Sequence, residues 1–534
     1  MQDGTPPPTS TSTTAPPETT STAVTSTTAP SGEASELRVG TVVPVDSLDP
    51  ADSVMFGDLE VLHTINEGLL RREPGDGEIV PGIAEDLPEI SEDGLTYTFR
   101  LRSGVEFSDG LQLTAPLYVE SIERVLQLRG RSANLVSLYV ANVEAPDDRT
   151  VVFRLKDRFA FFPTLLAESA YGPVHPDVFP AEELAVFPDA PVHGVGPWFI
   201  TSHSESEIVF ELNPRYFGDA PSVDRIVLRI YENADDMASA IGNADIDLAW
   251  RGLDAQAAAE ISEVEEVNVE LVPGGTMQFL TVNHSLGPTD DPLVRRALAQ
   301  LIERETISSE ELGGAFVPAY SPVPPGYVGS SDSFSEVFGE PNVATAIDLL
   351  TEAGYSDSNR AQIELAYPPE RFGLVIPTAM EEVELQMEST GLVDVTLTAQ
   401  PWSTYVGDVV AGSYNLAFLG WLHDFPDTHN YMAPFILEGG VGGSGENLEH
   451  PEMVDLITEA ASTLDEEQRA ELYVEIQTLF AEDVVTIPLW TEHPYIAYRD
   501  SVHGDERLAN PSSLNVGASM MLDFRSIVID PAES

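Results

Sequence analysis

An α/β fold with mixed sheets, spread over more than one lobe, is the class this sequence predicts. Two observations carry the prediction. Short β patterns and amphipathic helical patterns alternate along both halves of the chain. The length of 534 residues, 42% of them hydrophobic, exceeds what one small core organises.

The folded body is expected to begin at Glu36. LRVGTVV (37–43) reads as a strand and FGDLEVLHTINEGLL (56–70) as an amphipathic helix. GLTYTFRLR (94–102) and TVVFRLK (150–156) alternate as half-buried strands, with the helix LYVESIERVLQL (117–128) between them. EIVFELN (207–213), DRIVLRIYE (224–232) and IDLAW (246–250) continue the strands around a helix at 234–245. From MQFLTVN (277–283) onward, helices at 292–302, 342–354, 375–391 and 451–464 alternate with strands at 393–400, 414–421 and 485–490. EEQRAELYVEIQTLFAED (466–483) reads as the strongest amphipathic helix. Residues 1–35, almost entirely Thr, Ser, Pro, Ala, Gly and acid, hold too little apolar surface to fold. They read as a disordered tether spanning roughly 30 Å.

Composition excludes several functions. With 25 basic against 89 acidic residues the net charge is −64, which repels nucleic acid. Salt adaptation and a bias against lysine both account for that excess; Lys156 is the only lysine. The absence of cysteine rules out disulfides and thiolate ligands. No run of about 20 apolar residues is present to span a membrane as a helix. Dinucleotide, P-loop and hydrolase signatures are missing, and in so acidic a chain no carboxylate pair singles out acid–base chemistry. No enzyme and no cofactor is expected.

One segment concentrates chemistry. GWLHDFPDTHNY (420–431) packs two histidines, two aspartates and three aromatics into twelve residues. His423 and His429 are acceptable metal ligands, but H-D-x-x-D-x-H straddles a proline and lacks the helical i, i+4 spacing of a zinc site. Asp424 reads equally well as a turn residue before Pro426, and Trp421 as core.

Taken in order, SLDPAD, INEGLLRRE, VPGIAEDL, GLTYTFRLRSGVEFSDG, GVGPW, NPRYFGDAPSVDRIVLRI, AIGNADIDLAW, NHSLGPTDDPLVRRALAQLIERETI, AIDLLTEAGY and GWLHDFPDTHNY resemble the extracytoplasmic solute-binding proteins of peptide/nickel-type ABC transporters. The resemblance covers residues 36 to about 500. It implies a two-lobed periplasmic-binding-protein-like fold of the large peptide-binding type. A first lobe would span 36–275, with an extra subdomain at about 60–172. A second lobe would be inserted at 276–490, and 491–534 would return to the first. It further implies a monomer at the cell surface or in the periplasm that hands a short peptide to ABC permease subunits. The N-terminal tether would join a lipid anchor, with Met1 standing where such proteins carry a lipidated cysteine.

The same resemblance assigns roles. Asp424, three residues after the Gly-Trp tryptophan, would meet the ligand ammonium, since an unpaired buried ammonium costs several kcal/mol, about 3–5. Gly420, Trp421 and Leu422 would offer backbone groups to the peptide as an added strand. Trp402 matches a second pocket tryptophan. Arg371 lies near the place where dipeptide-type members hold the carboxylate, and its planar fork suits that task. The basic residues that oligopeptide-type members carry before Gly-Trp are absent from DVVAGSYNLAFLGW. Met55, Phe56 and Gly57 would line the opposite wall. Nickel-type relatives instead use histidine to hold a metal chelate, which leaves His423 and His429 as an alternative site, and other members bind sugars.

Overall fold

The computed structural model describes residues 35–73, 78–308, 315–372, 375–437, 450–504 and 521–530. The expected tether lies outside the described residues, as does most of the C-terminal stretch after 504.

Two mixed sheets organise the chain. The first has seven strands, in the order Val267–Leu271, Tyr495–Arg499, Leu248–Trp250, Glu36–Thr41, Arg225–Ile230, Glu207–Leu212 and Trp198–His203. Its central strand Glu36–Thr41 runs parallel to both neighbours, and the remaining pairs are antiparallel. Alternate residues such as Leu37 and Val39 meet Trp198, Phe210 and Leu248 in one core, as a period of two requires. The second sheet has six strands, in the order Phe316–Pro318, Thr486–Glu492, Thr276–Val282, Leu416–Trp421, Ala361–Tyr367 and Val393–Ala399. Helices Pro292–Leu301, Ile376–Glu388 and Glu466–Asp483 contribute to its core.

A third, four-stranded antiparallel sheet is built from Glu89–Ile90, Thr96–Arg100, Thr150–Leu155 and Val140–Asp147. The helix Ala115–Leu128 joins the same core. Thr114 caps this helix by accepting from Leu117 N, and Pro116 fits its first turn.

Two helical readings differ from the structure. The helix expected over 56–70 is Phe56–Ile65; Asn66 is extended, and Leu70–Arg72 pairs with Ile79–Pro81 as a strand. Gly68, beyond the helix end, runs close against Leu166: a β-carbon there would stand 2.5 Å from its carbonyl oxygen, so this position is closed to other residues. In Glu466–Asp483 the buried face includes Arg469 and Gln477 beside Tyr473, Ile476 and Phe480. Its polar members are hydrogen-bonded, so the helix is less cleanly amphipathic than its apolar spacing implies.

Among the described residues the chain passes between the two large sheets at 272–275 and at 493–494. The crossings lie side by side. Leu271 pairs with Tyr495, Val272 N donates to Pro494 O at 3.1 Å, and Thr276 pairs with Glu492. A β-carbon at Gly274 would stand 1.7 Å from Glu492 O, and a backbone carbonyl in a paired strand cannot retreat. Gly274→Ala is therefore expected to destabilise the fold by about 1–3 kcal/mol, as overpacking does. Urea unfolding would read this directly; an unchanged midpoint would mean that the crossings separate freely.

Candidate functional site

The GWLHDFPDTHNY segment leaves the second sheet as the end of strand Leu416–Trp421 and enters the helix Thr428–Ile436. Asp427 caps that helix, its Oδ1 accepting from His429 N at 2.9 Å. On one flank, Leu416–Trp421 pairs along its whole length with Met277–Val282. On the other, the register with Ala361–Tyr367 includes only Leu416 and Ala417. The strand runs on past that neighbour; Phe418 O is held by Tyr405 Oη at 2.6 Å, and residues 419–421 leave a sheet flank of the kind an extended ligand can join.

An aromatic group lies against this strand end. The Phe372 ring sits over Gly420, where a β-carbon would be 2.9 Å from its Cε1. Trp402 meets Phe372 edge-on at 5.7 Å, and the Arg371 guanidinium stacks 5.1 Å from the Trp402 centroid. Arg371, Trp402 and Gly420 are therefore neighbours through Phe372, a residue the sequence reading did not select. Its only local signal is its place beside Arg371. Trp421 is half-buried; its Nε1 donates to Asn430 O at 2.9 Å and its ring meets Phe435, so it braces the loop from behind. Leu422 is half-buried beside it.

Asp424 exchanges two hydrogen bonds with one residue. Its N–H donates to Asn430 Oδ1 at 2.8 Å, and Asn430 Nδ2 donates to its Oδ2 at 3.2 Å. No ion pair to Asp424 is formed among the described residues. The side chain is open to solvent, yet surrounding protein raises its carboxyl pKa by desolvation, partly offset by Asn430. Both hold for a group on the wall of a concave cleft, and the exposed surface decides whether a ligand can reach it. Its charge adds to the upward pKa shifts that burial gives Tyr139 and Tyr171 of the N-terminal half.

The two histidines turn away from this carboxylate. His423 Nδ1 lies 2.9 Å from Tyr431 Oη and 3.1 Å from Tyr327 Oη. Tyr431 donates its proton to Gly275 O at 2.6 Å, so the ring nitrogen is assigned as donor to Tyr431. His429 stacks on Phe161 at 4.6 Å, beside the buried ion pair of Asp427 and Arg469. Burial lowers His423 to about 3 and His429 to about 4. Among the described residues no group of three His, Asp or Glu side chains is placed to hold a metal.

These shifts carry a signed expectation. An unfolded histidine takes up a proton near its ordinary value of 6.5, whereas folded His429 resists until about 4. Between these values the unfolded chain binds more protons, so the histidine's contribution to stability falls as pH drops. His429→Phe should flatten the stability-against-pH curve relative to wild type between those values. Parallel curves in urea melts over that range would contradict the buried neutral imidazole.

Phe425 joins the halves of the molecule. It stacks on Phe161 at 4.9 Å and meets Tyr139 edge-on at 6.3 Å, inside the core of the four-stranded sheet. Nearby, Ala160 N donates to Ala461 O at 2.7 Å and Arg72 Nη2 to Pro426 O at 3.0 Å. A lone loop phenylalanine has no periodicity to betray such a role. Also unforeseen is Glu168, whose carboxyl burial pushes up to about 7 against the opposing charge of Arg72.

In the first sheet's half, Phe56 lies under the Arg251 guanidinium, 4.0 Å from it. Arg251 pairs with buried Glu60 at 2.9 Å and also opposes the desolvation of Glu492, at the second crossing. Gly57 is held by packing, since a β-carbon would stand 2.2 Å from Pro44 O. Met55 is exposed.

Comparison with known proteins agrees with this architecture. OppA of Bacillus subtilis, an oligopeptide-binding protein, is 27% identical over 489 residues, covering 86% of each chain. The dipeptide-binding protein of Escherichia coli is 25% identical over 459 residues, 80% of this chain and 84% of that one. The solved structure of HbpA2 from Haemophilus parasuis superposes with a TM-score of 0.81 at 21% identity, covering 93% of this chain and all of the other. The fold is thus the two-lobed periplasmic-binding-protein type. Residues 78–443 match the model described as bacterial extracellular solute-binding proteins, family 5 middle, and the chain belongs to that family.

Proposed function

We propose that this protein captures a short peptide between two lobes and delivers it to the permease of an ABC importer. The observation that carries the reading is the Asp424 carboxylate: reachable by solvent, without an ion-pair partner among the described residues, and three residues beyond a strand end with one open flank. A peptide ammonium on Asp424 places the peptide backbone beside residues 419–421, and the pairing is independent of side chains. Phe372, Trp402 and Arg371 then line the next stretch of ligand, with Arg371 available to its carboxylate. Relatives named for oligopeptide and dipeptide binding support the same class.

In this reading, residues 36–275 and the returning C-terminal segment form the first lobe, with the subdomain at about 60–172, and 276–490 form the second. Ligand closes the lobes because it touches both, since only differential affinity shifts that equilibrium. The protein acts as a monomer, tethered outside the cytoplasm through its N-terminal segment, and performs no covalent chemistry. Native mass spectrometry of the purified protein, followed by denaturing analysis of what it releases, tests the class. A peptide or peptide ladder is expected; a metal complex or a sugar would replace this reading.

A further inference from the structure

Asn430 lies six residues beyond Asp424, on the first turn of the helix Thr428–Ile436, and is only 6% exposed. Its backbone is fixed on both sides. Asn430 N donates to Asp427 O at 3.0 Å, and Asn430 O accepts from Trp421 Nε1 at 2.9 Å. Asp427, which caps the helix, is in turn paired with the buried Arg469. The side-chain amide of Asn430 therefore springs from a rigid base. Both its polar atoms go to one residue: Oδ1 accepts from Asp424 N at 2.8 Å, and Nδ2 donates to Asp424 Oδ2 at 3.2 Å. Only one amide orientation works, since a flip would set the NH2 against the Asp424 N–H and the oxygen against the carboxylate.

Asp424 is a residue that needs such a clasp. It follows a strand end, precedes Pro426 and belongs to no helix or strand itself. Its side chain is exposed, and among the described residues Oδ1 accepts no hydrogen bond and the carboxylate forms no ion pair. A loop aspartate left to itself samples several rotamers, and a ligand that must order it loses that entropy from its affinity. With Oδ2 and the backbone N–H both tied to Asn430, the carboxylate is set in one plane and one oxygen remains for a ligand.

From this geometry we infer that Asn430 is the positioning residue of the ligand site: it holds Asp424 in place before a ligand arrives, with Oδ1 left to take an ammonium. The inference deepens the peptide reading and rests on it. In this role Asn430 acts through Asp424 alone, so its replacement matters only while that carboxylate is present. It also sets discrimination. A ligand without an ammonium gains nothing from a pinned carboxylate, so Asn430 favours peptides with a free amine over those whose amine is blocked.

Trialanine and N-acetyl-trialanine are the probes, titrated calorimetrically against the full chain in a double-mutant cycle. Asn430→Leu, close to the native side chain in size, removes both hydrogen bonds. Asn430→Ala removes them with less bulk, and keeps the test open if the leucine variant fails to fold. Either should weaken trialanine about tenfold, which is what a hydrogen bond to a charged group contributes. N-acetyl-trialanine should change by less than about twofold, and so should trialanine when the same substitution is made beside Asp424→Ala. A loop that had merely come loose would behave otherwise: both peptides would weaken together, and the loss would add to that of Asp424→Ala. Unchanged trialanine affinity in both Asn430 variants, or additive losses in the cycle, would overturn the inference while leaving Asp424 as the partner of the ammonium. A wild type that does not prefer trialanine to its acetylated form would instead overturn the peptide reading, and this inference with it.

Discussion

Replacing Asp424 by alanine is expected to weaken binding of a short peptide by about a hundredfold or more. The reason is the state left behind. Once the lobes close, the ligand ammonium loses water and has no other carboxylate assigned to it. Breaking one half of such a pair costs about 3 kcal/mol or more, because the survivor remains charged and unpaired. Asn430, which donates to Asp424 and accepts from its N–H, would keep the loop in place, so folding should change little. Isothermal titration with a peptide and with its N-acetylated form separates the explanations. The wild type should lose the acetylated peptide, and the variant should bind both equally weakly. Near-wild-type affinity in Asp424→Ala would remove this residue from the site.

The same carboxylate predicts a pH response. Its pKa is raised in the free protein by desolvation, and an ammonium bound to it favours the charged form. Affinity is therefore present above the free-state pKa and lost as pH falls through it. A titration series at decreasing pH should show Kd rising in wild type and nearly flat in Asp424→Ala.

Phe425→Ala is the second large expectation, and its effect should fall on closure more than on folding. The ring belongs to the second sheet's connecting loop but is buried among Tyr139 and Phe161 of the other half. If the lobes part on ligand release, that burial exists only in the closed state. Losing it costs about 1.5–3 kcal/mol, which is about ten- to a hundredfold in ligand affinity. Small-angle scattering with and without ligand should show the variant staying extended at ligand concentrations that compact the wild type. A variant that loses folding stability by the same amount, with unaltered affinity, would make Phe425 a core residue and nothing more.

Much of the architecture was readable in the sequence because half-buried strands and amphipathic helices leave periodic traces. GLTYTFRLR and TVVFRLK pair as neighbours in one antiparallel sheet, and the helix between them starts at the Thr114 cap. What escaped depends on contacts between residues far apart in sequence. Beyond the helix from Phe56, Gly68 is pressed against Leu166, a neighbour about a hundred residues away. Phe425 reaches residues in the other half, and Phe372 lies over a glycine that only the fold brings near. The candidate site shows the same division. Asp424 was marked by its register after Gly-Trp, whereas the Tyr431 and Tyr327 hydroxyls that meet His423 required the loop to fold back on Tyr431.

The bridge from Arg72 to the Pro426 carbonyl has a consequence for how cargo leaves. An amide oxygen has no proton to gain in ordinary acid, so this span between the halves does not weaken as Asp424 is neutralised. Mild acidification should then discharge the peptide by neutralising the group that holds its ammonium, and the lobes part because the ligand that bridged them is gone. Acid therefore acts on the lobes through the ligand, and this hydrogen bond offers an importer the same resistance in acid as in neutral medium.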